Sequence, residues 1–196
     1  MLEARLEVGA PAPPRTEAPV VVVNERHGER FVFTHVDRER CAFDFTVAPK
    51  KGMTMLHAHA RQRERFRVVG GELTVLFADG ERVVRAGEEV TIEPGTYHAF
   101  ENRGDVEVTS EVEYLPAGRN REWLMIVNAV ERARGAEPGL LDLAPFIGDV
   151  DIFIKGPPVW LQRAMFAALK PLAVALGKRE AALRAATDAY GRPVTW

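Results

Sequence analysis

Cysteine is nearly missing from this chain: Cys41 is the only one in 196 residues. An internal disulfide is therefore excluded, and a reducing compartment is the natural setting. As a small apolar residue in a β-rich run, Cys41 reads as core rather than chemistry. An excess of one charge is missing too. Lys and Arg total 26 against 28 Asp and Glu, a formal net charge of −2, with arginines scattered among glutamates. No basic face that would track phosphates emerges, and no helix-turn-helix pattern accompanies it, so nucleic acid is not expected as a partner. The N-terminus lacks a charged start followed by an apolar run, which makes a cytoplasmic location the expectation. No internal repeat is present. A long uninterrupted hydrophobic run is also lacking. The apolar stretch from Val159 to Gly177 is broken by Gln162, Arg163, Lys170 and Pro171, which disfavours a spanning helix. It reads as a helix packed on the rest of the fold or as a dimerisation helix. Contact with a membrane surface is the less favoured alternative.

What remains is an ordinary globular composition, 46% hydrophobic and 28% charged, sized for one domain with an appended subdomain. Residues 1–19 contain Ala10-Pro11-Ala12-Pro13-Pro14 and read as an extended or disordered arm. From residue 20 the chain becomes a series of short β-rich runs separated by turn residues, with strands expected over 20–23, 31–36, 41–47, 53–59, 65–69, 72–77, 82–85, 89–92, 98–102 and 106–115. Asp79-Gly80 marks a tight hairpin between two of them. Many short strands at this spacing suggest a sandwich or barrel. After Pro116 the period changes. Residues 121–134, 157–176 and 178–190 read as helices, the second opened by prolines and interrupted or kinked at Pro171. The expected organisation is thus an arm over 1–19, a β-barrel over 20–116 and a C-terminal helical extension over 117–196.

Histidine is scarce as well, and its placement is informative. Three of the five histidines fall into one constellation: His57-Ala58-His59, then Glu64, then His98. A strand points alternate side chains to one face, so His57 and His59 lie side by side. Beyond a short turn, Glu64, Phe66 and Val68 alternate with Arg65, Arg67 and Val69, turning Glu64 inward and two arginines outward. His98, Phe100 and Asn102 share a face on a later strand. Three imidazoles and a carboxylate directed into an apolar interior are costly unless something satisfies them. A divalent transition metal does so through an N/O first shell without thiolate, which suits Fe, Mn, Ni, Co, Cu or Zn. A hydrogen-bonded polar cluster without metal is the bland alternative. Asn102 reads as structural, and His35, on the face of Phe31 and Phe33, reads as a satisfied core or supporting residue.

The two segments Gly52–Gly71 and Gly87–Asn102 resemble the two signature motifs of the cupin superfamily. The first holds a glycine, His57-x-His59, Glu64 and Gly71. The second holds Gly87, the Pro94-Gly95 turn, His98 and Asn102. Gly52 lies one residue closer to His57 than the usual pattern, and Pro94 directly precedes Gly95 rather than standing two positions earlier. Both departures fall in turns and neither touches a ligand position. The resemblance covers roughly residues 50–103 and implies a mainly β fold: a cupin-type antiparallel β-barrel (double-stranded β-helix or jelly roll) followed by the α-helical tail. It also implies a metal held by His57, His59, Glu64 and His98, and a homodimer.

On these residues Glu64 is the candidate catalytic group, either a fourth ligand throughout or a general base when released. Phe43, Phe45, Met53, Met55, Phe66 and Phe100 are the candidate substrate-pocket wall, which would suit a small, largely apolar molecule with an oxygen donor. Each of these six also reads, taken singly, as plain core. Two functional classes follow. One is a metal-dependent enzyme of oxygenase, isomerase, cyclase or decarboxylase type; the other is a non-catalytic small-ligand binding or sensing protein on the same barrel.

Overall fold

The computed structural model describes residues 19–196, so the arm expected over 1–19 lies almost wholly outside the described residues. Ten strands come first: β1 (Val21–Asn24), β2 (Glu29–Val36), β3 (Cys41–Val47), β4 (His57–Ala58), β5 (Arg63–Gly70), β6 (Glu72–Phe77), β7 (Glu81–Arg85), β8 (Glu89–Ile92), β9 (His98–Glu101) and β10 (Val108–Leu115). The tail then runs through α1 (Asn120–Arg134), α2 (Leu140–Leu143), a 3-10 turn (Ile147–Asp149), β11 (Phe153–Ile154), α3 (Val159–Ala175) and α4 (Lys178–Tyr190). The fold is mainly β, with a C-terminal helical part.

The strands form two antiparallel sheets, one in the order β1-β2-β3-β10-β5-β8 and the other β11-β4-β9-β6-β7. Their inner faces carry the core. In β3, Cys41, Phe43, Phe45 and Val47 are buried, and in β10 Val108, Ser110 and Val112 are buried. In β5, Glu64, Phe66 and Val68 are buried in alternation with arginines. This is the period-two pattern of a half-solvated wall. The outward residues of β5 and β10 meet as an ion-pair ladder, Arg65 with Glu113 at 2.8 Å and Arg67 with Glu111 at 2.6 Å. Phe45 makes edge contacts with Phe66 and Phe100, joining the two sheets through stacked rings.

Two departures from the sequence reading have local causes. The run expected as a strand over 53–59 is a strand only at His57–Ala58. Before it, the chain crosses close under β9. Gly52 sits at φ 141, where an added Cβ would meet the Phe100 carbonyl oxygen and the Glu101 Cα at 2.6 Å, so no side chain fits there. His35 is exposed rather than core. A register shift between Phe33 and His35 breaks the alternation, and the ring pairs at 2.7 Å with the exposed Asp37 instead. In the tail, α1 ends at Gly135 in the left-handed conformation, as a C-terminal glycine allows. The helix α3 contains Pro171 and runs through it without a break.

The tail also joins the sheets. β11 pairs antiparallel with β4, Phe153 opposite Ala58 and Ile154 opposite His57. The element bearing the first two histidines therefore has β9 on one side and a strand of the C-terminal extension on the other.

Candidate metal centre

The four sequence-selected donors come together between the two sheets. His57 pairs with His98 across β4 and β9, His59 follows two residues later, and Glu64 enters from β5 of the opposite sheet. All four are buried, and their donor atoms lie within 4.8 Å of one another. The imidazole centroids are 4.5 Å apart for His57 and His98, 5.3 Å for His57 and His59, and 5.6 Å for His59 and His98.

Each ring is oriented by a backbone carbonyl. Nδ1 of His57 donates to Met55 O at 3.1 Å, Nδ1 of His98 to Thr96 O at 3.0 Å, and Nδ1 of His59 to Asp151 O at 2.6 Å. A carbonyl only accepts, so the proton of each neutral ring belongs on Nδ1 and the Nε2 lone pair is left facing inward. Nε2 of His59 has no hydrogen-bond partner and stands 3.4 Å from Glu64 Oε2. Nε2 of His98 lies 2.8 Å from the same oxygen. Lone pairs turned toward a carboxylate repel unless a proton or a cation comes between them. Three rings anchored through Nδ1, with their Nε2 atoms turned inward beside one carboxylate, are the supporting arrangement that histidine metal sites use. The residues fit a divalent transition metal.

The electrostatics point the same way. Burial, reinforced by the neighbouring His98, pushes His57 down to about 3, so this ring is neutral. For His98 burial acts downward, yet the hydrogen bond and charge of Glu64 outweigh it and raise its pKa. Burial alone would push the Glu64 carboxyl up. The close approach of the His59 and His98 nitrogens and their charge overcome that and hold it below the usual carboxylate range.

Two supporting residues were not legible as such in the sequence. Tyr114, opposite Glu64 across β5 and β10, donates its phenol hydrogen bond to the Glu64 carboxylate, and its ring lies 5.3 Å from that of His59. Burial first, then the Glu64 charge, keeps the phenol neutral. The signal was available: Tyr114 is the next inward position after Val108, Ser110 and Val112. Asp151 had no such signal, since it lies 92 residues beyond His59. Its backbone oxygen anchors His59, while its carboxylate accepts the amides of Arg61 at 2.6 Å and Gln62 at 2.9 Å. The turn between His59 and Glu64 is thus held from the tail. Gln62 extends the clamp by donating to Pro116 O at 2.7 Å.

The candidate pocket wall divides. Phe43, Phe45, Phe66 and Phe100 are buried and pack ring to ring, Met53 is half-buried against them, and Met55 is 58% exposed. Asn102 donates to Val47 O and Val106 O and accepts from the Gly104 amide, a structural role that ties the end of β9 to its neighbours. Cys41 is buried, and burial foremost, with Glu122 nearby, pushes its thiol up to about 12.

Comparison with known proteins agrees with this geometry. A cupin domain family model matches residues 43–110. No curated protein sequence matches the chain. Solved structures similar to part of it include an RmlC-like cupin from Shewanella frigidimarina (18% identity, 57% of this chain and 96% of that one, TM-score 0.48). KdgF from Halomonas sp. is similar at 15% identity over 51% of this chain and 97% of that one, TM-score 0.44. A sugar phosphate isomerase of the cupin superfamily from Silicibacter pomeroyi is similar at 21% identity, TM-score 0.43. That match takes in 46% of this chain and spans only 60% of the isomerase. The family match thus places a cupin domain at residues 43–110, the stretch that holds the paired motifs and all four convergent donors.

Proposed function

We propose that the protein is a metal-dependent enzyme acting on a small, largely apolar organic molecule, of oxygenase, isomerase, cyclase or decarboxylase type. The observation that carries this reading is the set of three inward Nε2 atoms around one carboxylate, each ring locked by a carbonyl on its other nitrogen. His57, His59 and His98 would hold the ion, with Glu64 as a fourth donor. A divalent transition metal so held supplies Lewis acidity toward a substrate oxygen and, with fewer protein donors than coordination positions, room for that oxygen. With the three rings committed to the ion, a released Glu64 would be the group left to accept a proton, and Tyr114 steers that carboxylate by donating to it. Phe45, Phe66 and Phe100 keep water from the barrel side of the donors. Phe43, Met53 and Met55 complete the apolar surroundings proposed for the substrate. A homodimer belongs to the same reading, and sedimentation velocity checks it.

A second reading, non-catalytic binding or sensing of a small ligand, is favoured by one observation. The four donors are almost wholly withdrawn from solvent, His98 at 0% and Glu64 at 2% exposure. Metal analysis of the purified protein, followed by a substrate screen on protein loaded with each candidate ion, separates the two. The enzyme reading expects about one ion per chain, with turnover lost in Glu64→Gln while metal is retained. One ion per chain with no turnover under any loading, but saturable ligand binding, leaves the binding protein. Absence of bound metal under every loading removes both.

A further inference from the structure

The helix α3 presents an apolar face outward. Its one buried polar side chain, Gln162, accepts from the Ile154 amide at 3.1 Å and donates to Ile154 O at 2.9 Å and Pro157 O at 2.7 Å. These bonds fix the roll of the helix against the backbone of β11 and the loop after it. Met165, Phe166 and Leu169 are half-buried and Ala173 is buried, so the helix is apolar on its inner side as well and its outward side is left in water. Arg163 is the only exposed position of α3 that is not apolar, and Trp160 at 70% exposure and Leu172 at 50% stand on the open side. An ordinary surface helix does the reverse, and a contiguous apolar face left in water marks a contact surface.

Charge says what covers it. From Lys155 to Arg179 the chain carries five cations, Lys155, Arg163, Lys170, Lys178 and Arg179, and no carboxylate, in a protein whose net charge is −2. Lys170 pairs with Asp149 and Lys178 with Asp142. Among the described residues Lys155 reaches only the Ala78 carbonyl, at 3.5 Å, and Arg163 lies over the Phe153 ring at 5.0 Å, so neither pairs with an acid there. A two-fold contact between copies would set this carboxylate-free segment against itself, cation facing cation. Anionic headgroups supply the missing charge, and an exposed tryptophan suits the headgroup boundary. We propose that the outward face of α3 docks on an anionic lipid surface, the helix lying flat with Trp160 and Leu172 in the headgroup–acyl boundary and Arg163 and Lys155 at phosphate level. It lies on the bilayer rather than across it. Among the described residues no single helix is long and apolar enough to span, and α3 and α4, which pass together, are bent by 77° at their junction.

The test uses the full chain and flotation with two kinds of vesicle, phosphatidylcholine alone and phosphatidylcholine mixed two to one with phosphatidylglycerol. The protein is expected to float with the mixed vesicles, to bind neutral ones far more weakly, and to be released as salt is raised. Leu172→Glu, at an exposed position, should weaken binding at least about tenfold and Arg163→Glu about fivefold, with metal content unchanged. Independently of any folding change, Trp160 emission in the unaltered chain should be quenched by brominated lipid, a signal missing from Trp160→Phe. Failure to float with mixed vesicles, undiminished binding by Leu172→Glu, or a dimer that Leu172→Glu splits in sedimentation while no vesicle is bound would each overturn the proposal, the last in favour of a second copy.

Discussion

The two sheets and the tail helices depart from the usual burial pattern in opposite directions. In the sheets, alternation puts aromatic and aliphatic side chains inside and arginine–glutamate pairs outside, and four polar donors break that order by being inside. In α3 the polar Gln162 is inside and the tryptophan and leucines are outside. A buried polar group without a partner and an exposed apolar face without a cover both raise the free energy of the isolated chain. On the proposed readings each would be relieved by something bound: a cation at the open lone pairs in the first case, a lipid surface in the second. The difference shows how opposite compositions point to binding once the position of each side chain is known.

This contrast can be put to measurement. The largest effect belongs to the donors. His98→Ala should reduce bound metal from about one ion per chain to near none after dialysis, measured by elemental analysis. Retained stoichiometric metal would show that the cluster is a polar core instead. Next comes the core that walls the donors. Phe45→Ala removes a ring that touches both sheets, and an unfolding free energy lower by about 3–5 kcal/mol is expected from denaturant titration. Asp151→Ala tests the clamp between tail and site. The buried Gln62 amide and the part-buried Arg61 amide lose their acceptor, so a loss of about 2 kcal/mol is expected, together with metal affinity weaker by about 10–100-fold. Unchanged affinity alongside the stability loss would confine Asp151 to folding.

A smaller effect depends on pH. Burial, helped by Glu131, raises the Glu29 carboxyl from its ordinary 4.5 to about 8. The folded state then holds a proton that the unfolded state has released between those values, so stability falls as pH rises through that window. Glu29→Gln should flatten the decline in melting temperature from pH 5 to 8 and leave stability below pH 4.5 little changed; an identical slope in the variant would mean that another group is responsible. The smallest effect is expected at α3, where Trp160→Ala should change unfolding free energy by no more than about 0.5 kcal/mol. A large loss there would mean that the tryptophan packs against its own chain, and the contrast between the two regions would dissolve.

Much of the sheet half was legible because alternation carries the information locally. Cys41–Val47, Glu72–Phe77 and Glu89–Ile92 form strands at the expected limits, and Glu64 turns inward beside outward arginines. The donor set followed from spacing within two short segments. Less legible was whatever depends on contact between distant segments. The bulge that expels His35 depends on its pairing with β3, and the anchoring of His59 by Asp151 joins residues 92 apart. Composition identified α3 as apolar, but the side it presents is decided by the three hydrogen bonds of Gln162. Periodicity alone suggested packing or pairing there, and it could not register that the polar edge would be the one held down.

The pairing of β11 with β4 has a practical consequence for anyone trimming this chain. Cutting after the last long strand would keep every donor and both signature segments, yet it would strip His59 of its carbonyl anchor and leave the amides of Arg61 and Gln62 uncapped. Such a minimal fragment would carry the right letters with one ring free to swivel, and its affinity for any ion would understate that of the intact molecule.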